Sequence, residues 1–264
     1  MGKGEKYAVI LLLMMFSISF AYAVSPSGGD VSIISSSRAT PDEPTSVQAQ
    51  AGNVTQLNVN GVSTTQSWQG YFGNVTGKII LDDSDGNSLY NWDLASPEGE
   101  IYASTSNSVD WSAIQCFNFT ADGSTADLTN DRPGETSLHG LNLEQLESLF
   151  GIDPDSVDGV DETFGLADEN GYKHSLFYTN SLEFSAGECP SSHLLGNGGA
   201  KNDSSFEEVL LYDKTNDLPL FASLLDDSTL GFDGRNHDFE MLVLEDGHGT
   251  DTDTTEYFFY VELQ

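Results

Sequence analysis

Cations are what this chain lacks most. It carries 9 lysines and arginines against 42 aspartates and glutamates, for a net charge of −33. Nucleic acid and anionic lipid bear the same sign and would be repelled, which excludes both as partners. Long apolar runs are scarce as well. After Phe20 no stretch approaches the ~20 apolar residues that a membrane-spanning helix needs. Cysteine is limited to Cys116 and Cys189, which leaves room for one disulfide in an exported chain; two unrelated buried thiols are the competing reading. Gly-x-Ser-x-Gly is absent, and no Ser, His and Asp set has a recognisable local context. His139, His174, His193, His237 and His248 have no zinc-like spacing. Acidity with low hydrophobicity can mean disorder, but 11% aromatic and 38% hydrophobic residues argue for a core beneath a negative coat.

The N-terminus reads as a targeting segment. Lys3 and Lys6 form a positive start, Ala8 to Phe20 is nearly all apolar, and Ala21-Tyr22-Ala23 offers the small-x-small pattern of a signal peptidase site. Residues 1–23 are therefore expected to be cleaved, leaving a secreted or cell-surface protein without a membrane span. The rival is a pilin-type signal cut after Lys3-Gly4, with the apolar run kept as a filament-core helix. Pro26 and Gly28-Gly29 stop such a helix early.

Residues 24–51 are rich in Ser, Pro, Gly and Thr, with one alternating stretch at Val31-Ser32-Ile33, and read as an arm or linker. Residues 52–264 read as one β-rich extracellular domain. Val54, Leu57 and Val59 are strand-like, as are the residues around Trp68, Tyr71 and Phe72. Lys78 to Leu81 and Leu89 to Trp92 flank a turn at Asp82–Asn87, which makes a hairpin. Further strands are expected at Ile101 to Ala103, Ala113 to Phe119, His174 to Phe184, Phe206 to Tyr212 and Leu218 to Leu225. Phe239 to Leu244 and Tyr257 to Leu263 flank Asp246-Gly247, a second hairpin signal. Leu143, Leu146, Leu149 and Phe150 recur at helical spacing, so one short helix is expected over about 142–150, capped by Asn142 and ended by Gly151. Strands roughly ten residues apart with turns between them indicate a mainly β fold, a single β-sandwich or jelly-roll-like domain.

Asn53, Asn74, Asn118 and Asn202 each open a glycosylation sequon. Asp82, Asp83 and Asp85 crowd one turn and are the candidate calcium ligands, since that ion takes six to eight oxygens. Leu81 and Trp92 stand where an EF-hand needs its first and last ligands, so a solvated turn is the competing reading and no cofactor is required. Acidic pairs such as Asp82/Asp83 and Asp226/Asp227 suit glycoside hydrolysis, yet 42 carboxylates produce such pairs by chance. Trp68, Tyr71 and Trp92 are candidate sugar-stacking residues.

The runs Ser67-Trp68-Gln69-Gly70-Tyr71-Phe72-Gly73-Asn74-Val75-Thr76-Gly77, Gly99-Glu100-Ile101-Tyr102-Ala103-Ser104, Asp158-Gly159-Val160-Asp161-Glu162-Thr163-Phe164 and Phe206-Glu207-Glu208-Val209-Leu210-Leu211-Tyr212 resemble a group of uncharacterised archaeal secreted, cell-surface β-rich proteins, from about Gln48 onward. The resemblance implies an archaeal extracellular setting and supports glycosylation. It supplies no activity. The expected function is a non-enzymatic structural or adhesive surface glycoprotein, an assembly-forming subunit whose partners are other surface proteins or copies of itself. A glycan-binding β-sandwich module is the alternative. A pilin-like filament subunit and a secreted hydrolase follow in that order.

Overall fold

A run that is apolar at consecutive positions, instead of alternate ones, belongs to a strand covered on both faces, and Val209-Leu210-Leu211-Tyr212 is such a run. The structure is a computed structural model that describes residues 25–40, 42–94, 96, 98–117, 143–165, 173–196, 205–245 and 254–263. Its strands are β1 (Ser27–Gly28), β2 (Trp68–Gly73), β3 (Lys78–Asp82), β4 (Ser88–Asp93), β5 (Gly99–Ser104), β6 (Ile114–Cys116), β7 (Phe177–Thr179) and β8 (Leu182–Phe184). They continue with β9 (Ser191–His193), β10 (Glu207–Asp213), β11 (Leu218–Leu224), β12 (Thr229–Leu230), β13 (Asn236–His237), β14 (Phe239–Leu244) and β15 (Phe258–Leu263). Among the described residues one helix, α1, spans Leu143–Leu149.

The main sheet is antiparallel, in the order β1-β15-β5-β11-β10. The far edge of β10 is shared by two half-length strands: β9 pairs Glu207–Val209 and β6 pairs Leu211–Asp213. A second sheet, β14 with β2, packs over β11 and β10. Register assigns the faces. Leu210, Phe221 and Ala103 stand in line across β10, β11 and β5, and meet Met241, Val243 and Leu244 of the second sheet with Leu146 and Phe150 beside α1. Val209, Ala222 and Tyr102 point the other way, toward Phe177, Phe184 and the Cys116–Cys189 disulfide. The β-sandwich is thus backed by a third layer, the β7–β8 ribbon. Central strands closed on both faces account for the unbroken apolar run of β10.

The fold is mainly β with one short helix, and α1 ends at Gly151, whose φ of 65° is the left-handed conformation that a glycine terminator supplies. Asn142 lies outside the described residues. Three expectations are corrected. His174 to Phe184 is not one strand: Asn180 takes φ 55° and turns the chain, so Thr179 faces Leu182 in the β7–β8 hairpin. β14 and β15 are not hairpin partners, because β14 pairs with β2 and β15 with β5 and β1. Val54, Leu57 and Val59 form no strand, for want of a partner among the described residues; regular structure resumes only at Trp68.

Candidate functional site

A strand needs a ladder, and one long segment has the composition of a strand without the ladder. The described residues from 30 to 64 form no helix or strand, and those up to Ser63 are all exposed. Both ends of the segment are fixed. Ser27 and Gly28 pair with Val261 and Tyr260, and Gly29 N donates to Phe259 O at 3.0 Å. At the other end Thr65 Oγ1 donates to Asp158, Ser67 N donates to Thr65 Oγ1 at 3.2 Å, and Trp68 Nε1 donates to Asp158 O at 2.8 Å. The hydrogen bonds from Thr65 and Ser156 hold the Asp158 carboxyl below its usual range. Between those roots one tight turn is described, Asn53 N to Gln50 O, with Gly52 at φ 87°. The arm is thus a long loop rooted at both ends, and either half drawn out fully at about 3.3 Å per residue would reach ~50 Å.

Its exposed side chains include the apolar Val31, Ile33, Ile34, Val47, Val54 and Leu57, with Val59 and Val62 each 86% exposed. The part of the arm after Glu43 is also free of charge. From Pro44 to Gly77 there is no Asp, Glu, Lys, Arg or His, in a chain whose net charge is −33. The neutral stretch runs through the later part of the arm and on through β2.

The edges of the sheets are managed unevenly. β15 is covered by β1, β10 by β6 and β9, and β9 by a bridge to Gly165. The outer edge of β14 is closed by side chains: Leu242 N donates to Glu208, Ser223 Oγ to Glu240 O, and Tyr257 Oη to Leu244 O. Those bonds turn the even residues of β14 away from β2, so in β2 it is Trp68, Gly70 and Phe72 whose N–H and C=O face outward. No strand covers them among the described residues; Gly70 O takes a bond from Gln69 Nε2 at 2.7 Å. Sheet edges are usually blunted by lysine, proline or inward charge. β2 has none of these.

The aromatic candidates separate. Trp68 packs on Phe164 and Phe221, and Tyr71 on Phe259, so both belong to the core. Trp92 lies on the β3–β4 hairpin, 4.8 Å from the ring of Tyr90. Register puts Ile79 opposite Trp92 and Leu81 opposite Tyr90, so all four share one face, and each remains exposed.

Carboxylates here are held by backbone amides instead of cations. Asp213 accepts from the amides of Asp110, Thr215 and Asn216, Asp238 from Val75 and Ser228, and Glu207 from Ser175. The described ion pairs are few and lie at Lys78–Asp93 and around Asp233. In the Asp82–Asn87 turn Asp83 accepts from Asp85 N, Asn87 N and Asn87 Nδ2. The Asn87 side chain and amide lower its pKa. Asp83 therefore shapes the turn, while the Asp82 and Asp85 side chains are exposed beside it. A carboxylate trio stands elsewhere: Glu147, Asp161 and Glu162 bring oxygens within 4.8 Å of one another. Glu162 is raised to about 7, first by its hydrogen bond with Asp161 and then by burial. The pattern Asp158-Gly159-Val160-Asp161-Glu162 was its only signal in sequence. A cleft of about 370 Å³ is lined by Glu98, Glu100, Glu207 and Asp226, with Glu207 engaged by both Ser175 N and Ser175 Oγ.

Cys116 and Cys189 are bonded, with Cα atoms 4.9 Å apart. His174 is buried against the bridge: its Nε2 accepts from Cys189 N at 2.8 Å, and Nδ1–H points to Ser175 O at 2.7 Å. Burial lowers its pKa, and a ring that must accept at Nε2 is neutral. Asn53 and Asn74 are exposed; Asn118 and Asn202 lie outside the described residues. No helix among the described residues is long and apolar enough to cross a membrane. No protein-family model matches this chain, and no curated protein or solved structure does.

Proposed function

We propose that this chain is a secreted, non-enzymatic surface glycoprotein of archaeal setting that builds an extracellular assembly, its partners being copies of itself or other surface proteins. The observation that carries the reading is the arm: a segment rooted at both ends, with apolar side chains held in solvent, which a monomer gains nothing by keeping. The N-terminal signal, the disulfide and the exposed Asn53 and Asn74 sequons support an oxidising, extracellular setting. Replacing residues 31–63 by a flexible Gly/Ser linker tests the reading. The shortened protein is expected to keep its thermal unfolding and to lose the large species that the mature protein forms in sedimentation and on the host surface. Assembly that persists without the arm would sink it.

Glycan binding is the second reading, and the exposed face of Ile79, Leu81, Tyr90 and Trp92 favours it, since sugar rings stack on such a surface. Trp92→Ala is then expected to abolish saturable binding on a glycan array while leaving unfolding unchanged. An array silent toward the parent protein removes this reading.

A further inference from the structure

We propose that residues 55–62 of one copy add as a strand to the open edge of β2 in a second copy. The inference rests on the assembly reading above and names its acceptor. Strand addition requires a donor without a ladder and an edge without a partner. Thr55 to Val62 is such a donor: in no described ladder, exposed, and built from Thr, Val and Leu among uncharged amides. Leu57 and Val59 fall on one face of the added strand and Val62 on the other. The acceptor is Trp68–Gly73, whose outward groups at Trp68, Gly70 and Phe72 meet no strand among the described residues.

Charge selects the partner. Two copies at −33 each repel wherever their acidic surfaces approach. A neutral strand on a neutral edge is where that repulsion is least, and both lie within the uncharged stretch Pro44–Gly77. The other open ribbon, β3–β4, is flanked by Lys78, Asp82, Asp83, Asp85 and Asp93 and is the poorer acceptor. Pairing within one copy would need the chain to turn back at Thr64–Ser67. There Thr65 and Trp68 are tied by their side chains to Asp158. Asn53 and Asn74, the two exposed sequons, sit just outside donor and acceptor, so glycans on them leave the ladder clear.

Two proline variants of the mature protein test the proposal. Gly70→Pro removes an outward N–H; a Cβ there meets nothing nearer than Leu242 Cδ2 at 3.9 Å, and proline is tolerated on an edge strand. Val59→Pro spoils the donor in a segment without regular hydrogen bonds. Each alone is expected to lose all species beyond monomer in sedimentation. An equimolar mixture, with one intact donor and one intact acceptor, is expected to give dimers and nothing larger. If Gly70→Pro fails to fold by near-ultraviolet circular dichroism, Gly70→Asp takes its place. Both variants assembling like the parent, while the linker-replaced arm does not, would overturn the β2 acceptor and leave the assembly reading standing. A parent that stays monomeric at every concentration and salt overturns both. A Val59→Cys, Gly70→Cys protein that cross-links only within single chains would make the occupant the chain's own arm and overturn the proposal.

Discussion

Replacing Cys116 and Cys189 together by alanine is expected to lower the unfolding free energy by about 4 kcal/mol, the loop-closure value for a cross-link spanning 73 residues. Position makes the full effect credible. The outer edge of β10 is covered by two strands laid end to end, and the handover falls at Leu210. Leu210 N donates to Pro190 O at 2.9 Å, next to Cys189, and Leu210 O accepts from Phe117 N at 3.0 Å, next to Cys116. The disulfide fastens the two half-strands at that seam. Three-residue strands such as β6 and β9 hold little by themselves. Guanidinium unfolding of parent and double mutant measures the difference. Hydrogen exchange adds a second readout: protection is expected to fall at Ile114–Cys116 and Ser191–His193 before the β14–β2 pair. An unfolding midpoint unmoved by loss of the bond would contradict this account.

What was legible in sequence was what local chemistry decides. The β3–β4 hairpin follows from Asp83-Ser84-Asp85-Gly86 between two β-forming runs, and Gly86 sits at φ 82° as such a turn requires. Helix α1 follows from its 3.6-residue spacing and from Gly151. The strands β10 and β11 were legible because both runs are apolar; the structure adds their antiparallel pairing across a turn with Asp217 at φ 59°. Errors arose where partners are distant. The β14–β2 pairing joins residues more than 160 positions apart, and nothing near Asp246-Gly247 signals it. Val54, Leu57 and Val59 carry strand composition, and composition cannot say whether the complementary edge belongs to the same chain.

The acidic residues were the least legible. Glu207 and Glu208 stand at the head of a strand, and both are buried. Glu208 spends its carboxylate on the edge of β14 through Leu242 N, and burial drives its pKa upward. The same economy recurs at Glu240 with Phe232 N and Glu147 with Val160 N. A chain with so few cations closes its loose amides with carboxylates, and sequence does not distinguish these from the surface coat. Candidate site residues inherit that ambiguity: the Asp82–Asn87 turn drew attention by density, while the closer trio of Glu147, Asp161 and Glu162 is assembled from α1 and a later loop.

Glu262 turns that economy into a pH dependence. It stands opposite Glu100 across the β15–β5 ladder and is fully buried. Oε2 accepts from Asn180 N at 3.0 Å and Tyr102 Oη at 3.2 Å, while Oε1 has no partner among the described residues. Burial raises its pKa from 4.5 to about 7, against the two hydrogen bonds that favour the anion. The folded state therefore holds this proton more tightly than the unfolded chain. Its contribution is fully present below pH 4.5 and is lost as pH rises through about 7, a change on the order of 3 kcal/mol. Glu208, Glu240 and Glu147 are raised too and act with the same sign. Asp110 and Asp158 are lowered and act oppositely, losing stability as acid protonates them. The parent is thus expected to be most stable in mild acid. Glu262→Gln, neutral at every pH and able to accept the same two bonds, isolates one member of the set. At pH 8 it is expected to be more stable than the parent, and at pH 4 about equal, in unfolding measured at constant high salt. Parallel stability curves for the two proteins across that interval would show that the Glu262 carboxyl titrates as it does in water.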